Sequence, residues 1–196
     1  MAAFAIYRRN ATAVLLLSSV VPFRSLRFMR LNRFLFIAAA FLLHTASATA
    51  QSTIFVVRHA EKAAVAEGNK DPDLSDVGRA RAESLAAILR DAQITAVFAT
   101  EYKRTQQTAQ PAADRANAKV TVFPANDTAA LIAKLKETRG NCLVVGHSNT
   151  LADILKALGT PISFTIEDSE YDNLFVIRTS PEPQVLRLHY DRTVLP

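Results

Sequence analysis

The sequence predicts a three-layer α/β sandwich, a mostly parallel central sheet with helices on both faces, and three observations predict it. From residue 51 onward, short apolar runs alternate with longer stretches of helical period. Two of those runs, "IFVVRHAEK" at 54–62 and "CLVVGHSNT" at 142–150, are β-branched segments that stop at a histidine. The 146 residues after residue 50 suit one domain with a single sizeable core.

Each element follows in chain order. Residues 53–58 form the first strand, and 67–73 are a polar loop. Residues 74–92 form a helix with Ser75 as N-cap, because Ala82, Leu85, Ala86 and Leu89 recur at helical spacing. A second strand covers 96–100, followed by a helix over 101–116 that Pro111 should kink or restart. A third strand at 119–123 precedes a helix over 127–139 with Asp127 as N-cap. The fourth strand, 142–147, leads into a helix over 149–159 closed by Gly159. Residues 173–179 and 184–190 read as a pair of strands, at least one of them antiparallel at the sheet edge.

Charge and hydropathy divide the chain at residue 50. The net charge of +5 belongs to the front, where residues 1–50 hold six arginines and no Asp, Glu or Lys. The rest carries 17 basic against 18 acidic residues, so the basic balance argues for no nucleic-acid partner. From Met29 the chain reads as a secretory signal: a basic "MRLNR", an apolar "FLFIAAAFLL", and a small-residue cleavage site ending at Ala50. The apolar stretch is short of the ~20 residues a spanning helix needs, so no stable membrane insertion is expected after cleavage. The expected arrangement is an extension and signal over 1–50, with Met29 the true start, and a working domain over 51–196 that is periplasmic or secreted. Cys142, the only cysteine, reads as a buried inert thiol.

In open parallel sheets, ligands bind beyond the carboxyl ends of the strands. Arg58 and His59 stand at the end of the first strand, His147 at the end of the fourth, and Arg104 early in the helix after the second. Two guanidiniums and two imidazoles around one point suit a phosphoryl group. The surrounding positive charge favours a neutral, nucleophilic histidine, and attack on phosphorus would give a phosphohistidine that water then hydrolyses. No metal or other cofactor is needed for this. Gly146-His147-Ser148-Asn149-Thr150 also resembles a nucleophile elbow, with Asp172 and His189 following in hydrolase order, so a serine hydrolase using Ser148 is a rival. Thr150 in place of the second glycine weighs against it.

"VVRHAEK", "LSDVGRARA", "YKRTQQTA" and "VVGHSNT" together resemble the histidine phosphatase superfamily, the phosphoglycerate-mutase-like fold, in its small R-H-A-E-K branch. The resemblance runs from about Thr53 to the C-terminus. It implies a phosphomonoesterase in which His59 is phosphorylated, Arg58 and Arg104 clamp the phosphate, and His147 completes the pocket with Ser148 beside it. Leu74, Ser75, Gly78 and Ala82 fit the motif that shapes the helix after the catalytic loop. The chain departs from the pattern at Ala60, where mutase-like members carry glycine, and at Ser148, where the acid phosphatase and phytase branch carries aspartate. No glutamate fills the loop after the third strand. The proton donor then falls to Asp127, which also reads as a helix cap, or to Glu61. The expected partner is a phosphorylated small molecule, an envelope component or a phosphoprotein; a binding module of the same fold without turnover is the other alternative.

Overall fold

The computed structural model describes residues 52–64, 68–160, 164–179 and 182–191. The signal and cleavage reading over 1–50 lies outside them. Among the described residues no helix is long and apolar enough to cross a membrane.

Six strands and four helices alternate until the last two strands: β1 (Thr53–Arg58), α1 (Asp76–Ile88), β2 (Ile94–Thr100), α2 (Lys103–Arg115), β3 (Val120–Phe123), α3 (Thr128–Glu137), β4 (Asn141–Gly146), α4 (Ser148–Ala157), β5 (Asn173–Arg178) and β6 (Gln184–His189). The sheet order is β3-β2-β4-β1-β5-β6. β1, β4, β2 and β3 run parallel, β5 is antiparallel to β1, and β6 is antiparallel to β5. Both tail strands were foreseen, but β5 is interior and only β6 lies at the edge.

Period-two alternation divides the core between the two faces of the sheet. Ile54, Val56, Cys142, Val144, Phe175 and Ile177 pack on one side with Leu131, Leu135, Leu151 and Leu155 of α3 and α4. Val57, Val97, Leu143, Val145 and Leu174 pack on the other with Leu85 and Ala86 of α1 and Ala109 and Ala113 of α2. Each face is thus covered by two helices, which is why β1 and β4 are apolar nearly throughout.

The caps fall where the side chains can make them. Ser75 Oγ accepts from the N–H of Gly78, and Asp127 Oδ1 accepts from that of Ala130. Gly159 follows α4 at φ +84°, a conformation that favours glycine. Of the two outcomes expected at Pro111, a restart does not occur, and α2 runs through it. A proline removes one backbone donor, whereas Thr105, Thr108, Ala109, Ala112 and Ala113 bury a whole helix face.

Candidate active site

The register of the two central strands builds the site. Arg58 pairs with Gly146, so the residues that follow, His59 and His147, leave the sheet side by side, and the His59 N–H donates to the Gly146 carbonyl at 2.9 Å. Their rings meet edge to face with centroids 5.3 Å apart. Space at Gly146 is tight: a Cβ would stand 3.1 Å from Leu151 Cδ1 and 3.2 Å from Thr150 Oγ1, so these side chains would have to give way in the turn that starts α4. β2, on the other side of β4, ends at Thr100, and Arg104 follows as the second residue of α2.

These groups line a polar cleft of about 470 Å³ with Lys62, Tyr102, Asn126, Ser148, Asn149, Asp153 and Asp168 among its walls. Ser148 and Asn149 open α4, and the N-terminus of a helix favours an anion.

Both arginines are held on aromatic rings. The Arg58 guanidinium lies 4.3 Å from the Tyr171 centroid, and that of Arg104 lies 4.3 Å from the Tyr102 centroid. Arg58 Nη1 donates to the carbonyls of Glu167, Asp168 and Glu170 at 2.8, 3.2 and 3.0 Å. Asp168 stands 3.6 Å from its Nη2, and Asp71 stands 3.8 Å from Arg104 Nη1. The Nε atoms of both arginines are buried and have no hydrogen-bond partner among the described residues. Buried guanidinium donors without partners suit an oxyanion.

His59 Nδ1 lies 2.8 Å from the Ala60 carbonyl, which can only accept, so Nδ1 carries the proton and Nε2 keeps its lone pair. Burial first, and then the charges of His147, Arg104 and Arg58, lower the His59 pKa to about 3 against the opposing pull of the Ala60 hydrogen bond. Burial, and then Arg104, lower that of His147 to about 4. Positive neighbours therefore act as the sequence suggested, but desolvation is the larger cause. His147 Nε2 is 3.0 Å from Thr100 Oγ1.

The two sequence candidates for a proton donor are placed elsewhere. Glu61 is absent from the cleft walls: its carboxylate takes Arg81 Nε on both oxygens at 3.0 Å and Nη2 at 2.8 Å. Asp127 caps α3 through Ala130 and is likewise absent from the walls, although Asn126 and Thr128 on either side line them. The carboxylates that do line the cleft, Asp153 and Asp168, were not singled out as donors by the sequence. Asp153 lies six residues past His147 on a polar position of α4, a signal too weak to read without the fold.

The serine-hydrolase triad is not assembled. His189 pairs with Asp172 at 3.0 Å in another cleft, lined with Arg81, Tyr171 and Tyr190, whereas Ser148 lines the cleft of His59. Among the described residues, no three His, Cys, Asp or Glu side chains group as metal ligands would.

Comparisons with known proteins agree with this fold. Residues 54–126 match the model of the histidine phosphatase superfamily (branch 1). No curated relative matches the sequence. Among solved structures, the protein histidine phosphatase SixA complexed with tungstate superimposes with a TM-score of 0.55 at 20% identity, over 70% of this chain and 96% of that one. A SixA from Agrobacterium tumefaciens gives 0.53 at 22%, over 69% and 97%. The mycobacterial glucosyl-3-phosphoglycerate phosphatase Rv2419c gives 0.57 at 14%, over 71% and 99%.

Proposed function

From a chain that matches the histidine phosphatase superfamily (branch 1) over residues 54–126 and has the fold of its phosphatases, we propose that the protein is an exported, metal-independent phosphomonoesterase working through a phosphohistidine on His59. One observation carries the reading: His59 presents an unprotonated Nε2 beside a second neutral imidazole, in a cleft lined by Arg58 and Arg104, whose Nε atoms are buried without partners among the described residues.

In the proposed reaction a phosphoryl group enters between Arg58, Arg104, His147 and the start of α4. Nε2 of His59 attacks phosphorus as the bond to the leaving-group oxygen breaks, giving N-phosphohistidine and an oxygen anion that takes a proton from water or a carboxyl group of the cleft to become the alcohol. Water then attacks the phosphorus, the P–N bond breaks, and inorganic phosphate leaves. The guanidiniums and His147 hold the oxygens on which charge accumulates.

Glu61 and Asp127 stand away from the cleft, so a proton for the leaving group would come from Asp153 or Asp168 in its walls, or the substrate would carry a good leaving group that departs without a strong acid. A phosphoryl group on nitrogen meets that description, and one structural relative is a protein histidine phosphatase. A phosphoprotein, a phosphorylated envelope component or a small phosphorylated molecule would each reach the cleft from outside the cell's cytosol, since the leader supports a periplasmic or secreted protein.

The test is turnover of p-nitrophenyl phosphate with and without EDTA, for the protein, His59→Ala and Ser148→Ala. EDTA-resistant turnover lost in His59→Ala and kept in Ser148→Ala is the expected result. Phosphate binding without turnover would replace the enzyme with a binding module of the same fold.

A further inference from the structure

The nucleophile sits on a short loop, residues 59–62, that is anchored residue by residue. The Ala60 N–H donates to Thr108 Oγ1 at 2.9 Å, the Ser75 N–H donates to the Glu61 carbonyl at 2.9 Å, and Lys62 bridges to Leu74. Gly78 lies so close that a Cβ there would fall 2.2 Å from the Glu61 carbonyl oxygen and 3.0 Å from its nitrogen. The Glu61 side chain is clamped in addition by both oxygens to Arg81, whose Nη1 reaches the Tyr190 carbonyl at 3.1 Å.

The carbonyl that receives the His59 Nδ1 proton belongs to the Ala60–Glu61 peptide, which is a rigid plane. That plane cannot turn unless Glu61 turns with it. We infer that Glu61 and Arg81 are a positioning pair for the nucleophile: through the loop backbone they hold the Ala60 carbonyl against His59 Nδ1 and so keep Nε2 as the attacking atom. Release of the clamp lets the plane rotate, the neutral ring exchange its proton between the two nitrogens, and a fraction of molecules carry the proton on the atom that must attack. The pair is nearly buried, with side-chain exposures of 9% and 18%. Neutralising one partner strands the other, whereas neutralising both does not. The inference rests on the phosphohistidine reading for its kinetics, but the ring's protonation pattern is a property of the free protein.

The experiment compares Glu61→Gln, Arg81→Met and the double variant in the full-length protein. Histidine-ring nitrogen NMR should show His59 protonated on Nδ1 in the parent and a mixture of both tautomers in each variant. With p-nitrophenyl phosphate, kcat should fall in each single variant in proportion to the share of molecules that carry the proton on Nε2, a loss of about two- to ten-fold for a mixture of the two tautomers. The double variant should lose no more than either single. Inorganic phosphate should bind within about two-fold of the parent, because Arg58, Arg104 and His147 are untouched. Arg81→Lys, which keeps the charge without the fork, should restore part of both signals and stands in if Glu61→Gln does not fold.

An unchanged tautomer in Glu61→Gln overturns the inference. So does a Glu61→Gln loss that grows steeply with poorer leaving groups while Arg81→Met retains its kcat, since that pattern marks a proton donor. If the parent itself fails to turn over, the phosphatase reading fails, and the NMR comparison still decides the positioning pair.

Discussion

Thr100 Oγ1 stands 3.0 Å from Nε2 of His147 and 2.8 Å from Thr105 Oγ1, so the second histidine of the site is oriented by a buried pair of hydroxyls. Thr105 is in turn fixed to the Tyr102 carbonyl at 2.7 Å. Thr100→Val keeps the shape and removes the partner. A buried polar group left unsatisfied costs about 1–3 kcal/mol, so the melting temperature should fall, and a His147 ring no longer held should lower kcat/KM for p-nitrophenyl phosphate roughly ten-fold. Unaltered kcat/KM would show that His147 needs no such support.

Stability should depend on pH through the same two rings. The folded-state pKa values, about 3 for His59 and about 4 for His147, lie below the ordinary 6.5. Between those values and 6.5 the unfolded chain binds protons that the folded chain does not. The stabilising contribution of the neutral rings is therefore complete above about pH 6.5 and is lost as pH falls toward 3. Melting temperatures measured from pH 7.5 to 4.5 should decline, and His59→Ala should flatten part of that decline. A parallel decline in both proteins would assign it to other groups.

Gly78→Ala places a methyl against the Glu61 carbonyl, where a Cβ would fall at 2.2 Å, and both partners are backbone. Either α1 or the catalytic loop must move. Overpacking of this kind is destabilising by about 1–3 kcal/mol, readable as a lower melting temperature, and a displaced loop should reduce kcat as well. Full activity at a lower melting temperature would locate the movement in α1 alone.

Arg58→Lys keeps a charge and loses the fork that meets three carbonyls of the 167–170 segment. The Tyr171 ring loses its guanidinium too. Affinity for inorganic phosphate should drop at least about ten-fold by titration calorimetry, with kcat/KM falling further. Affinity equal to the parent's would mean that a point charge is enough at this position.

The central sheet was legible because strands covered on both faces write themselves as continuous apolar runs, and the site because Arg58, His59 and His147 directly follow two of them. What lay beyond the sequence was pairing between distant segments. Arg81 reads as one more cation on a helix until the fold places it on Glu61, 20 residues earlier, and on Tyr190, 109 residues later. Tyr171 and Asp168 belong to an irregular segment with no period to reveal that it covers Arg58. β2 begins at Ile94 rather than 96 because the strand continues past a register shift between Ile94 and Ala96, which breaks the alternation a reader counts. Pro111 shows the converse: a breaker residue carries less weight than the apolar face of the helix around it.

The hydrogen bond from Arg81 to the Tyr190 carbonyl, with that from Ser84 to the Asp191 carbonyl, sets an order of events in the life of the chain. Synthesis delivers His59 more than a hundred residues before the strand that secures its loop. A nascent chain therefore carries His59 on a loop whose supporting helix, α1, is not yet held by the tail. A chain cut short after β5 would possess every group of the phosphate cleft and the loop's own contacts to Ser75, Thr108 and Arg81, yet lack the two carbonyls that hold α1 from its far side.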